Sequence, residues 1–201
     1  MIARVLGAAV LAIALGGSEL CAQRPFRSGF WLENGVGTGT IRVGCGTCEE
    51  PLAGYGQSSY LRAGGTVSPR VVLGIELFAL LDDAFPVPDS DSTLMVENVS
   101  IAPVVLWYPW ESGLFFKWGV GLAHGEILVT GEDGEPLTLA SGTGSGITFG
   151  VGLDTPIFSW LSITTNFGVY YTALGDVSVP GLYIDDVITT MYNANFAITI
   201  R

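Results

Sequence analysis

Two cysteines in this sequence have a spacing that could carry redox, metal or structural chemistry. Cys45 and Cys48 are separated by two residues. A redox pair of this kind needs a helix N-terminus to stabilise the thiolate, and no helical periodicity surrounds these residues. A structural zinc site needs four ligands, and the sequence holds no second pair. We therefore predict a small-loop disulfide between Cys45 and Cys48, formed in an oxidising compartment.

The single histidine is the second group that could carry chemistry. A hydrolase acting on lipid would need a hydroxyl nucleophile and a carboxylate beside His124. Ser141 or Thr143 could supply the hydroxyl, and Glu126 could supply the carboxylate. Because no catalytic motif surrounds His124, an interfacial histidine is the simpler interpretation. We predict no catalytic, cofactor-binding or metal-binding residues, no cofactor and no enzyme activity.

Carboxylates form the third group. The net charge at pH 7 is −11, so no nucleic-acid partner is expected, because phosphate binding requires a basic surface. Most acidic residues fall in connecting segments that hold no basic residue: Glu49, Glu50, Asp82, Asp83, Asp89, Asp91, Glu126, Glu132, Asp133, Glu135, Asp176, Asp185 and Asp186. Oxygen ligands suit Ca²⁺ or Mg²⁺, but no twelve-residue calcium loop is present. Divalent cations at these acidic loops are therefore a candidate partner, and simply solvated carboxylates are the alternative.

The elements that must position these groups are visible in a strict alternation of residue types. The mean hydropathy is +0.49, and only 13% of residues are charged. Large apolar residues recur at every second position, as in Val71, Leu73, Ile75, Leu77, Ala79 and Leu81 and again in Tyr192, Ala194, Phe196, Ile198 and Ile200. Successive side chains of a strand point to opposite faces, so each segment has one apolar face and one small or polar face. This pattern is typical of a membrane-spanning β-barrel.

The alternation predicts eight strands, and no segment shows a convincing helical period. The strands run over about Gly29–Val43, Ser58–Val67, Arg70–Leu81, Leu94–Trp107, Leu114–Val129, Ser141–Leu153, Trp160–Leu174 and Val187–Arg201. Short turns follow the second, fourth and sixth strands, and long polar connections follow the others. Short periplasmic turns and long extracellular loops are the rule in outer-membrane barrels. Ten strands are the alternative, since Ile127-Leu128-Val129 and Leu137-Thr138-Leu139 could pair as a further hairpin.

The two faces of the strands predict what lies inside and outside. The small and weakly charged rows suit the lumen of a narrow barrel, so the apolar rows face lipid. Glu33, Arg62, Glu76 and Lys117 then share the inner face. Buried charges need partners, so we expect a lumen charge network, with a gated proton or ion path as the alternative. Aromatic residues near the periplasmic strand ends predict an interfacial girdle: Trp31, Trp107, Tyr108, Trp110, Phe115, Phe116, Trp118, Phe158 and Trp160.

The N-terminal segment has the features of a secretion signal. Arg4 precedes an apolar stretch from Val5 to Leu15, which is shorter than the roughly 20 residues of a spanning helix. We predict cleavage after Ala22, which gives a signal peptide over residues 1–22 and a single domain over residues 23–201. A lipoprotein with Cys21 at its new N-terminus is the alternative.

Two stretches carry a resemblance to a known family. The segment from Tyr60 to Gly74 resembles the second hairpin of small eight-stranded outer-membrane β-barrel proteins of the OmpX and OmpA-membrane-domain type, and Phe115–Leu122 (FFKWGVGL) is similar to their fifth strand. The resemblance implies an all-β, eight-stranded, antiparallel up-and-down transmembrane barrel in a Gram-negative-type outer membrane, and it supplies no catalytic residues. The chain departs from that family by ending on Ile200-Arg201 rather than on an aromatic residue.

These observations together favour a non-catalytic outer-membrane barrel with a structural or surface-interaction role through its acidic extracellular loops. Outer-membrane lipid and lipopolysaccharide are the expected partners, and a monomer is the expected state. A narrow channel or small-solute pore is one alternative. A soluble periplasmic, lipocalin-like ligand-binding barrel is the other.

Overall fold

A computed structural model describes residues 29–46, 48, 51–86, 93–130, 136–179 and 182–201. The signal peptide predicted over residues 1–22 lies outside the described residues. In the described part of the chain, no helix is long and apolar enough to cross a membrane. These residues instead form eight strands.

The strands close into one barrel in sequence order, and every neighbouring pair is antiparallel. They are β1 (Phe30–Gly44), β2 (Leu52–Ser68), β3 (Val71–Pro86), β4 (Thr93–Trp107), β5 (Leu114–Thr130), β6 (Pro136–Phe158), β7 (Leu161–Val179) and β8 (Leu182–Ile200). Pairing of β1 with β8 closes the ring, so every strand has a partner on both sides. The expected all-β, up-and-down, eight-stranded topology is confirmed.

The strands are longer than the sequence pattern predicts at the ends that meet the long connections. β2 begins at Leu52 rather than near Ser58, and β6 begins at Pro136 rather than near Ser141. β6 is also longer at its other end, where it runs to Phe158 and shortens the turn before β7. The alternative count of ten strands is wrong, although the pairing that suggested it is present: Leu128 pairs with Thr138 and Val129 with Leu137 as a continuation of β5 and β6. Asp82, Asp176, Asp185 and Asp186, which we predicted in loops, belong to strands.

Large apolar side chains form a continuous belt on the outside of the barrel. Ile75, Val120 and Phe196 are 58%, 62% and 68% exposed, whereas their sequence neighbours point inward. On β5 the belt runs from Leu114 to Leu122, the length of about 9–11 residues that a transmembrane strand needs. The strands continue past the belt at the end away from the short turns, and we call this protruding part the collar. It includes Arg42 of β1, Glu126–Thr130 of β5, Asp176 of β7, and Asp185 and Asp186 of β8.

Three members of the predicted aromatic girdle point inward instead. Trp31, Tyr108 and Phe115 are buried and pack in one cluster with Val104 and Leu106. These three residues occupy the alternate positions that point into the lumen. The prediction considered only their distance from the strand ends and therefore placed them in the girdle. Five other members are exposed near the short-turn end of the barrel, as expected of rings at an interface: Trp107, Trp110, Phe116, Phe158 and Trp160. Trp118 is exposed as well, but it lies in the middle of the belt on β5 rather than at its edge.

Candidate functional site

The structure brings the four predicted inner charges together in the middle of the lumen. Glu33 lies opposite Arg62 in the β1–β2 pair, and Arg62 lies opposite Glu76 in the β2–β3 pair, so the three form one row across the wall. Arg62 donates from Nε and Nη2 to Glu76 Oε2 at 2.8 and 2.5 Å, and from Nη1 to Glu33 Oε1 at 3.2 Å. Lys117 Nζ reaches across from β5 to Glu76 Oε1 and Oε2 at 2.7 and 2.9 Å.

Two tyrosines that were not among the predicted lumen charges complete this network. Tyr60 donates to Glu33, and Tyr170 donates to Glu76 Oε1 at 2.6 Å. Lys117 Nζ also lies 2.8 Å from Tyr170 Oη. Both residues occupy inner positions of their strands, so strand parity was the signal that could have revealed them. With two acids and two bases all buried, the network carries no net charge and each ion has a partner, as burial requires.

A second buried polar cluster lies nearer the short-turn end of the barrel. Asp154, which we placed in a turn, is an inward residue of β6. Its carboxylate accepts hydrogen bonds from Tyr108 Oη at 2.8 Å, from Thr164 Oγ1 at 2.7 Å and from Arg201 Nη2 at 2.6 Å. The C-terminal arginine therefore ties the end of β8 to β6 across the barrel rim.

Apolar side chains fill the lumen on both sides of the charge network. Toward the collar lie Phe78, Leu80 and Met191, each with 0% exposure, and the Phe78 ring stacks on Tyr170 at 3.9 Å between centroids. Toward the short-turn end lies the cluster that contains Phe115 and Leu106. Two cavities lined mostly by lumen-facing residues have volumes of about 10 and 30 Å³. Such spaces hold one or two waters, so the described lumen is packed rather than open.

His124 lies on the outside of the barrel, at the edge of the apolar belt nearest the collar. Its Nδ1 is 2.7 Å from Thr143 Oγ1, the residue directly opposite on β6, and its Nε2 is 2.8 Å from Glu126 Oε1. Of the two candidate hydroxyls, Thr143 therefore contacts His124, whereas Ser141 lies opposite Glu126. The histidine side chain is 47% exposed. His124, Thr143 and Glu126 thus form a hydrogen-bonded polar cluster where β5 and β6 extend beyond the belt.

The two cysteines are joined by a disulfide where β1 ends. Their Cα atoms are 5.1 Å apart, and Cys48 N donates to Cys45 O at 3.2 Å. Within the described residues, no group of three or more histidine, cysteine or acidic side chains could hold a metal ion. Several predicted acidic-loop residues lie outside the described residues, together with the side chain of Asp83: Glu49, Glu50, Asp89, Asp91, Glu132, Asp133 and Glu135.

No protein-family model matches this chain, and no curated protein matches it in sequence. Solved structures match the whole barrel. Neisserial surface protein A superposes with a TM-score of 0.57 at 13% identity, over 86% of this chain and 97% of that one. The fold is that of the small eight-stranded outer-membrane β-barrels.

A second outer-membrane barrel, the attachment invasion locus protein Ail of Yersinia pestis, gives the same result. It superposes with a TM-score of 0.52 at 11% identity, over 86% of this chain and 99% of that one. The structure of Ail with the heparin analogue sucrose octasulfate matches with a TM-score of 0.50 at 15% identity, over 84% of this chain and 99% of that one. At these identities the likeness concerns the fold of the barrel.

Proposed function

We propose that this chain is a non-conducting, non-catalytic outer-membrane barrel that acts at the cell surface through its collar. The observation that carries this proposal is the packed lumen: apolar layers lie on both sides of a neutral, fully paired charge network. A barrel of about eight strands leaves room inside only for side chains. The apolar belt supports residence in a lipid bilayer, and the fold supports an outer-membrane location.

The collar is the part of this barrel that remains available to partners. Its solvent-accessible acids include Glu126, Asp176, Asp185 and Asp186, whereas the described cation of the collar is Arg42 on β1. An acidic collar favours cationic partners, and divalent cations bridging to lipopolysaccharide are one such partner. It disfavours polyanions of the kind bound to Ail, because like charges raise the free energy of association. We propose a monomer as the functional state.

Membrane fractionation and single-channel recording test the proposal. We expect recovery in the outer-membrane fraction, faster gel migration before boiling than after, and no conductance steps above the bare bilayer. Conductance steps from a heat-modifiable sample would support the small-solute pore instead. Recovery as a soluble periplasmic protein would support the lipocalin-like alternative.

An ester-hydrolysis assay on detergent-solubilised lipid tests the absence of catalysis. We expect no release of fatty acid by the wild-type barrel. Release that disappears in His124→Ala but persists in Ser145→Ala would contradict the proposal, since Ser145 lies on the same outer row of β6 without contacting His124.

A further inference from the structure

The outer face of β3 to β6 contains a groove within the apolar belt. Its volume is about 380 Å³, within the range of small-molecule sites. The lining is almost wholly apolar and includes Leu73, Val105, Trp118, Val120 and Phe149. This groove is far larger than either internal cavity and opens toward the surroundings of the belt.

A proline accounts for the position of the groove. Pro103 lies in the middle of β4, where it has no N–H to donate to a neighbouring strand. The β4–β5 pairing passes from Ile101–Leu122 to Val104–Gly119 without a partner for Pro103, although the register is the same on both sides. Pro103 and Gly119 both line the groove, so the depression follows the interruption in the ladder.

Polar side chains lie above this groove on the same strands. Val120 lines the groove on β5, and His124 and Glu126 follow it on the same outward row. Since each residue of a strand advances about 3.3 Å, His124 is about 13 Å further along the strand than Val120. His124 is hydrogen-bonded to Thr143 and to Glu126 Oε1, so the Glu126 carboxylate is held beside the imidazole.

Two carboxylates face each other at this level, and the described lysines and arginines lie elsewhere. Glu97 of β4 lies directly opposite Glu126 of β5, and like charges in this position destabilise a sheet unless a cation accompanies them. His124 Nε2 contacts one oxygen of Glu126, Oε1, at 2.8 Å, so a further cationic group would meet Glu97 and the second oxygen of Glu126. Arg42, the described basic residue of the collar, is on β1, on the other side of an eight-stranded ring. A cationic group seated between Glu97 and Glu126 would gain charge-assisted hydrogen bonds.

We propose that this face binds one lipid whose acyl chain occupies the groove and whose primary ammonium head group is held by Glu97 and Glu126. An aminophospholipid such as phosphatidylethanolamine has this chemistry. The spacing between groove and carboxylates matches an amphiphile that lies along the strands, with its head at the edge of the belt. The inference rests on the proposed residence of the barrel in a bilayer.

Trp118 supplies a direct reporter, because it lines the groove and bromine atoms on an acyl chain quench tryptophan fluorescence. The folded barrel in detergent micelles is titrated with phosphatidylethanolamine, phosphatidylcholine or phosphatidylglycerol carrying identical brominated chains. We expect half-maximal quenching by the ethanolamine lipid at a mole fraction about fivefold lower than by the choline lipid, the size of an exposed ion pair. Trp118→Phe should lose this component of the quenching.

Variants separate the head group from the groove. Glu97→Gln with Glu126→Gln should remove the preference for ethanolamine, and Val120→Phe should weaken quenching by both lipids by filling the groove. Val36→Phe on β1 is the matched control, since Val36 and Val120 are 63% and 62% exposed. Equal quenching by the ethanolamine and choline lipids, or a Mg²⁺-dependent preference for phosphatidylglycerol, would overturn the proposal. Unboiled gel migration of each sample shows whether the barrel is folded, which separates this failure from a failure of the proposed function.

Discussion

Lys117 Nζ lies 2.7 Å from Glu76 Oε1, although their strands, β5 and β3, are not neighbours in the barrel wall. The contact therefore passes across the lumen rather than along the sheet. Arg62 binds the other oxygen of the same carboxylate at 2.5 Å. One carboxylate thus holds two cations from two different strands, and its removal leaves both without their main partner.

Glu76→Gln should lower the free energy of unfolding by about 3–5 kcal/mol, the usual cost of breaking a buried ion pair by removing one partner. The change leaves Arg62 and Lys117 with Glu33 as the remaining acid of the network. Urea unfolding in lipid vesicles, followed by tryptophan fluorescence, measures this loss. A variant as stable as the wild type would show that the network contributes little.

A double variant provides the control for that prediction. Glu76→Gln with Lys117→Met removes one acid and one base, so the Glu33–Arg62 pair remains balanced. Because the desolvated charge left by the single change is then absent, the double variant should be more stable than Glu76→Gln alone. The opposite order would mean that Lys117 stabilises the barrel through contacts other than this carboxylate.

The charged members of this network could be predicted from the sequence, because alternation along a strand determines which side chains point into the lumen. Glu33, Arg62, Glu76 and Lys117 are charged residues on the inner rows of clear strands, so their meeting followed from the closed barrel. Tyr60 and Tyr170 were missed because an aromatic ring counts as apolar in a hydropathy pattern, although its hydroxyl can donate to a buried acid.

Phe115→Ala should cost about 3–5 kcal/mol of unfolding free energy, because Phe115 is fully buried in the apolar cluster at the short-turn end and its loss leaves a cavity. Phe116→Ala is the matched comparison: the next residue of the same strand is 36% exposed and faces the belt, where lipid can refill the space. We expect the second loss to be clearly smaller in the same unfolding measurement. Equal losses would contradict the assigned faces of β5.

The strand ends were the part of the fold that the sequence left open. Asp154 and Pro156 are turn-forming residue types, and the segment that contains them was assigned to a turn. In the barrel, Asp154 pairs with Thr164 and Pro156 with Ser162, because the neighbouring strand offers a partner at every level. Closure of the ring, which no local pattern records, therefore overrides the turn propensity of these residues.

Cys45→Ser should make Cys48 reactive toward a membrane-impermeant maleimide on intact cells. The disulfide lies where β1 ends in the collar, and its loss leaves a free thiol there. Ser159→Cys, in a chain lacking both cysteines, provides the control in the short turn between β6 and β7, and we expect it to react after permeabilisation alone. The reverse pattern would place the collar on the periplasmic side.

A lysine in the middle of the apolar belt should destabilise the barrel far more than one in the collar. Ile75 is 58% exposed near the centre of the belt on β3, so Ile75→Lys should cost about 2–4 kcal/mol when folded in a bilayer. Thr40→Lys changes an exposed position of β1 beyond the belt, where the expected cost is about 0–1 kcal/mol.

The measurement is urea unfolding in vesicles, repeated in detergent micelles. A bilayer supplies the ordered hydrocarbon that penalises the introduced ammonium group. The difference in unfolding free energy between the two variants should therefore be smaller in micelles. Equal costs in the bilayer would mean that the exposed apolar rows do not face lipid.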